Sequence, residues 1–216
     1  MNKLQKLFFK IIKKSLKNKL NKDYQLTPIM ELTNKHVENS RLLNSRIELL
    51  KLLPKNAIVA ELGVDQGFFS KDILLITNPR KLYLIDVWDN ERYSNSKKEA
   101  VMEKFKDSIS TGNVEIVIGY STDVVSSFQD DYFDWIYIDT DHSYSNTISE
   151  LSLYGPKMKK DGIICGHDFI QGNFTGLLKY GVIEAVREFC LKENWEILYL
   201  TFDFNDNPSY AIRKLN

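Results

Sequence analysis

Cysteine is nearly absent: the 216 residues hold two, Cys165 and Cys190, each in an apolar run with no partner at metal-ligand spacing. That excludes a disulfide framework and a Cys-ligated metal centre, and leaves two reduced core thiols of a cytoplasmic protein. No apolar run approaches the roughly 20 residues that cross a bilayer, and the N-terminus lacks the uninterrupted apolar stretch of a secretory signal. Internal repeats are missing, as is any low-complexity segment beyond a lysine-rich start. The length admits one α/β domain with a short extension, not two full domains.

Acid is absent from residues 1–22, which carry eight lysines, although the whole chain balances 29 bases against 29 acids. Removing those eight leaves 29 less 8, or 21, bases against 29 acids. So acidic a body argues against a nucleic-acid-binding surface on the domain, and an anionic partner should meet residues 1–22 instead. There Leu4, Leu7, Phe8, Ile11, Ile12, Leu16 and Leu20 recur at three- and four-residue steps, with lysines filling other positions. The pattern predicts an amphipathic helix with two readings open: contact with an anionic membrane surface, peripheral at its inner face, or packing on the body or on a second subunit of a homo-oligomer. Residues 1–35 are expected to form this helix and its linker, and 36–216 the main domain.

Residues 23–35 read as a linker around Pro28, and 41–53 as a helix with Leu42, Leu43, Ile47, Leu50 and Leu53 on one side, stopped by Pro54. From Ala57 onward short β-rich runs alternate with helical segments, the sign of a parallel sheet covered by helices. Strands are expected at 57–62, 81–86, 114–119, 133–139 and 162–166, and helices at 68–76, 94–110, 122–128, 147–158 and 182–192. The end changes character, with strand-like runs at 196–202 and 209–213 joined by the turn-rich Asp203-Phe204-Asn205-Asp206-Asn207-Pro208. These patterns predict an α/β fold, a seven-stranded, mostly parallel sheet closed by an antiparallel hairpin.

Ligands of open α/β sheets bind beyond the carboxyl ends of the strands. Those ends carry Glu61-Leu62-Gly63-Val64-Asp65-Gln66-Gly67, then Asp86, Gly119 to Ser121, Asp139 to His142, and Gly166 to Asp168. Gly63 and Gly67 let backbone approach a ligand closely, while Glu61 can orient the loop or meet a cationic group. Asp86 is placed to accept hydrogen bonds from both hydroxyls of a ribose. A third glycine is missing, so the loop departs from the G-x-G-x-x-G pattern of dinucleotide sites. A pyrophosphate would meet Glu61 and Asp65 unfavourably, whereas a sulfonium with an ammonium group would not. The loop thus points to S-adenosylmethionine rather than to NAD.

Three stretches, Glu61 to Gly67, Leu82-Tyr83-Leu84-Ile85-Asp86-Val87-Trp88, and Phe133-Asp134-Trp135-Ile136-Tyr137-Ile138-Asp139-Thr140-Asp141-His142-Ser143-Tyr144, resemble successive motifs of class I S-adenosylmethionine-dependent methyltransferases. A narrower resemblance is to macrocin-type sugar O-methyltransferases and cephalosporin-hydroxylase-like proteins, with Gly162-Ile163-Ile164-Cys165-Gly166-His167-Asp168-Phe169 and the run from Gly181 to Phe189 as later signatures. It covers about residues 41–213 and omits the lysine-rich start. The resemblance implies a Rossmann-like, doubly wound sheet in the order 3-2-1-4-5-7-6. It also implies a cofactor site of Glu61, Gly63, Asp65, Gly67, Asp86, Val87, Trp88, Ser121 and Asp139.

Methyl transfer to oxygen is an in-line displacement that needs the acceptor positioned and its proton removed or polarised. His142 follows Asp139 by three residues just past a strand and can accept that proton near neutral pH; the macrocin-type resemblance implies the same role. Asp139 and Asp168 close adjacent strands, so two carboxylates come within reach of one cation, with His167 as a third ligand. Such an oxygen-rich set suits Mg2+, although metal-dependent relatives carry an acid where His167 stands; a histidine there would favour Mn2+ or another transition metal, or would simply hydrogen-bond within the site. Without a metal, Asp139 would orient the methionine end of the cofactor. Tyr144, Phe169, Phe174 and Tyr180 are the aromatic candidates for gripping the acceptor, a sugar or other polyhydroxylated small molecule. An amine or carboxylate acceptor without a metal, and a catalytically silent scaffold, are the competing readings.

Overall fold

Strands rich in Ile, Val and Leu, alternating with helices most of which carry an apolar stripe, must bury both faces of a sheet. The computed structural model does so, and it describes residues 3–25, 27–89, 95–173, 178–203 and 206–215. In chain order the elements are α1 (Lys3–Gln25), β1 (Arg41–Leu43), α2 (Arg46–Leu52), β2 (Ile58–Leu62), α3 (Phe68–Thr77), β3 (Lys81–Asp86), α4 (Asn95–Lys104), α5 (Lys106–Ser110) and β4 (Val114–Ile118). There follow α6 (Ser121–Val124), β5 (Phe133–Ile138), α7 (Tyr144–Tyr154), β6 (Met158–Gly166), the short pair β7 (Gly172–Asn173) and β8 (Leu178–Lys179), α8 (Val182–Glu193), β9 (Trp195–Thr201) and β10 (Tyr210–Lys214).

The main sheet runs β1-β9-β10-β6-β5-β2-β3-β4. Taken from β4, its first seven strands follow the expected order, with β10 antiparallel to both β6 and β9. The eighth strand was not foreseen. Arg41, Leu42 and Leu43 pair in parallel with Tyr199, Leu200 and Thr201 of β9, where a helix over 41–53 was expected. The helix begins only after Ser45, whose hydroxyl accepts the Glu48 amide at 3.3 Å and so fixes its start. Leu42 and Leu43 fit a helical stripe by spacing, but a free sheet edge next to them satisfies their backbone instead.

Three other expected helices differ in extent. The helix foreseen over 94–110 breaks at Phe105, which turns inward between α4 and α5 and is buried beside Gly67. Residues 122–128 form a single α-turn, α6, and then a 3-10 turn at Val125–Ser127. α7 starts early, capped by Ser143, and the Gly155–Lys157 turn with its proline ends it before Met158 opens β6. The expected linker is shorter, because α1 reaches Gln25 and Asn34–His36 form a 3-10 turn.

The sheet divides the core into two layers. Along β5, Trp135 and Tyr137 pack under α2 and α3 with Leu49, Ile73 and Leu84, while Ile136 and Ile138 face α7 and α8 with Leu151, Val186 and Phe189. That alternation is the two-residue period of a strand. It leaves the carboxyl ends of β2, β3, β5 and β6 along one edge, from which the loops below emerge.

Candidate active site

Beyond β2 the chain must turn sharply, and two glycines allow it. Gly63 lies at φ +86, and a Cβ there would come within 2.1 Å of the Asp139 carbonyl oxygen. The ends of β2 and β5 therefore touch backbone to backbone, with the Asp139 amide donating to the Leu62 carbonyl at 2.8 Å. Gly67, at φ +67, opens α3, and a Cβ there would meet the Phe105 ring at 2.8 Å. Between them Asp65 is also left-handed, at φ +50; its carboxylate pairs with Lys97 and its carbonyl accepts the Trp88 indole N–H at 3.0 Å.

Asp86 holds this loop in place. One of its carboxylate oxygens accepts the amides of Val64 at 2.8 Å and Asp65 at 2.9 Å, and the other those of Val87 at 2.7 Å and, at 3.4 Å, Trp88. Glu61 is buried beneath the loop and accepts the Ser70 hydroxyl. Burial pushes its carboxyl up to about 8, against the opposing Ser70 hydrogen bond. Ser121, just past β4, donates to Glu150 of α7, which also accepts Thr140 Oγ1 at 2.8 Å. Glu150 is fully buried, and burial raises its carboxyl to about 7 despite the hydrogen bonds from Ser121, Thr140 and Asn146.

The ends of β5 and β6 bring three of the expected chemical residues together. One ligand atom from each of Asp139, His142 and Asp168 lies within 4.8 Å of the others. His142 Nε2 is 3.0 Å from Asp168 Oδ2, and Asn207 donates to Asp168 Oδ1. Burial alone would raise the Asp168 carboxyl, but the hydrogen bonds and charges of His142 and His167 hold it well below the ordinary range. Burial likewise pulls His142 down, and Asp168 and then Asp139 more than restore it, so its pKa lies above the ordinary value. Asp139 is raised by burial, partly offset by the two histidines.

His167, expected as a ligand beside Asp139 and Asp168, is not part of that convergent trio. Its Nδ1 stands 3.5 Å from Asp168 Oδ1 and 3.9 Å from Asp139 Oδ1, while its Nε2 is 3.3 Å from Asp206 Oδ1. Asp168 sits at φ +56, and this left-handed turn directs its carboxylate to His142 while the neighbouring His167 faces Asp206. Burial opposes the charge on His167, yet Asp168, Asp206 and Asp139 together push its pKa up to about 9.

The acceptor candidates separate. The Tyr180 ring lies 4.7 Å from the His142 imidazole, and the next amide, Gly181 N–H, donates to the His142 carbonyl at 2.7 Å. Tyr144 donates its phenol to Glu188 of α8 at 2.7 Å, and Phe169 packs on Tyr210, 5.7 Å between centroids. Phe174 lies outside the described residues. Arg46 and Asp206 join the site without having been foreseen: Arg46 Nε meets Asp206 Oδ2 at 2.9 Å, and its guanidinium covers the Phe69 ring at 4.6 Å. No local sequence signal links them, and Asp206 and Asn207 read only as turn residues.

A methyltransferase-domain family model matches residues 60–169, just over half of the chain, including the glycine loop, Asp86, Asp139, His142 and Asp168. The chain belongs to this methyltransferase family. A search of curated proteins returned no significant match. Among solved structures, this methyltransferase is similar to a putative rRNA methylase from Clostridium thermocellum, at 16% identity and TM-score 0.57, over 79% of this chain and 95% of that one. It is also similar to a cofactor-bound protein from MTB, at 16% identity and TM-score 0.57, covering 94% and 89% of the two chains. A third is a putative methyltransferase from Streptococcus mutans solved with S-adenosylhomocysteine, at 14% identity and TM-score 0.57, covering 79% and 96%. At these identities the likeness establishes the Rossmann-like fold alone.

Proposed function

We propose that this methyltransferase uses S-adenosylmethionine to methylate a hydroxyl of a sugar or another polyhydroxylated small molecule. The carrying observation is the meeting of Asp139, His142 and Asp168 at the strand ends beside the Glu61 to Gly67 loop. The loop's surroundings fit the cofactor: the carboxylates of Asp65 and Asp86 suit a sulfonium and an ammonium and would repel a pyrophosphate, while Glu61 is buried beneath the loop and supports it through Ser70. Glu61, Gly63, Asp65, Gly67, Asp86, Val87, Trp88, Ser121 and Asp139 are the residues that would hold it. When bound, it supplies an electrophilic methyl group.

The chain's own residues then position the acceptor and take its proton. Asp168 engages Nε2 of His142, orients the ring and raises its basicity, leaving Nδ1 as the atom that receives the hydroxyl proton. Tyr180 lies against that ring and forms one wall for the acceptor. The carboxylates of Asp139 and Asp168 at this spacing also fit a divalent cation such as Mg2+ or Mn2+ as its firm ligands, with His142 kept as the base. Bound there, it would lower the pKa of the acceptor hydroxyl.

A metal-free reading has its own support: Asp168 is already occupied by His142 and Asn207, the arrangement of an acid-base dyad that needs no ion and would serve an amine or carboxylate acceptor equally. The test is turnover on a panel of hydroxyl, amine and carboxylate acceptors, with and without EDTA. Loss of hydroxyl methylation in EDTA, restored by Mg2+ or Mn2+, supports the metal-assisted reading; full turnover in EDTA removes the metal. Failure of S-adenosylhomocysteine to bind in calorimetry would overturn the whole assignment and leave a silent scaffold.

A further inference from the structure

α1 has no task in the chemistry above, and its surface is built on two incompatible faces. At 100° per residue over residues 4–17, Leu4, Leu7, Phe8, Ile11 and Ile12 fall on one half of the helix and Lys6, Lys10, Lys13, Lys14 and Lys17 on the other, which also carries Phe9. The apolar half is uncovered: Leu4 is 78% exposed, Phe8 63% and Ile11 60%. No helix among the described residues is long and apolar enough to cross a membrane.

We propose that α1 docks in the plane of an anionic lipid bilayer, apolar face down and lysines among the headgroups. Charge complementarity selects this occupant. A second copy of α1 would cover the apolar face but leave the lysines of both helices without an acid to pair them, since neither helix carries one through residue 22. An anionic bilayer satisfies both faces at once, taking the leucines and phenylalanines below the headgroups and the ammonium groups at their level.

The helix also joins the body at the lip of the candidate site. Lys179 of β8 donates to Thr27 Oγ1, just beyond α1, at 2.8 Å, and pairs with Glu184 at 3.0 Å. The next residue is Tyr180, the one against His142. Docking of α1 would tether the domain at this lip, bringing an acceptor carried on a lipid or exposed at that surface within reach of the mouth. The docking itself does not depend on the reading of the site.

Flotation of the full chain tests the proposal, using vesicles of phosphatidylcholine with about one-third phosphatidylglycerol against pure phosphatidylcholine. The expected result is at least about ten-fold more protein on the anionic vesicles, declining as salt is raised. The double variant Phe8→Asp, Ile11→Asp should lose this binding while keeping its circular dichroism and its S-adenosylhomocysteine affinity. Absence of binding to both vesicles, equal binding to both, or full binding by the double variant overturns the proposal. So does a vesicle-free dimer that the double variant dissociates, which would assign the face to a second copy. Capture of a duplex oligonucleotide in preference to the anionic vesicles would overturn it as well. Loss of cofactor affinity in the wild-type chain with vesicle binding intact would refute the enzymatic reading and leave the docking standing.

Discussion

Asp86 shows how one carboxylate can serve a site before any ligand arrives. Its contacts with four backbone amides tie the loop after β2 to the end of β3, so its removal frees buried donors as well as a charge. Asp86→Ala should lower the affinity for S-adenosylhomocysteine by about ten-fold or more and cost about 2 kcal/mol of stability, read by calorimetry and thermal melting. Gly63 offers a sharper test, since any side chain meets the Asp139 backbone and the φ of +86 is unfavourable besides. Gly63→Ala is expected to destabilise the fold by about 3 kcal/mol or more, and a melting temperature within a degree of wild type would refute the packing described. His142 separates chemistry from binding. His142→Ala should reduce turnover about 10²- to 10⁴-fold while leaving cofactor affinity nearly unchanged. The loop motif, Asp86 and His142 are legible in the sequence because each depends on a few adjacent residues. The substitution of His142 for His167 in the convergent trio is not, because it rests on a left-handed turn at Asp168 and on an Asp206 drawn in from a distant loop.

At the scale of elements, Glu150 links α7 to the loops after β4 and β5 through Ser121 and Thr140. Its carboxyl is held protonated up to about 7 in the folded chain, whereas it ionises near 4.5 when exposed. Between those values the folded state binds more protons than the unfolded state, so stability falls as pH rises. The contribution is complete below the lower value and gone above the higher one. Glu150→Gln should flatten that decline, by about 1.4 kcal/mol for each pH unit of the window. Denaturant melts from pH 4.5 to 7.5 read the difference; parallel curves for the two proteins would show that Glu150 does not titrate as described. The elements themselves were largely legible, since β2, β3, β4, β5 and β9 are short runs dominated by β-branched, aromatic and leucine residues and α8 shows a clear stripe. The break at Phe105 and the strand at Arg41–Leu43 were hidden, because each is decided by what lies across from it.

For the molecule as a whole, burial is concentrated in the middle of the sheet. β2, β5 and β6 have strands on both sides and helices on both faces, while α1 is exposed along residues 4–15. Hydrogen exchange should therefore find the slowest amides in β2 and β5 and near-complete exchange along α1 within seconds in the absence of lipid. Protection of α1 equal to that of β5 would contradict this picture. By itself the sequence determined the alternation of strands and helices, the antiparallel close, the glycine loop with its acidic residues and the two-faced N-terminal helix. These follow from periodicity and from backbone conformations that a few neighbouring residues dictate. Only the tertiary structure decided which carboxylate holds which histidine, that Arg46 and Asp206 pair across about three-quarters of the chain, and that α1 leaves the body beside Tyr180. Those contacts join residues far apart in sequence, and their geometry is set by how the whole sheet packs rather than by any local pattern.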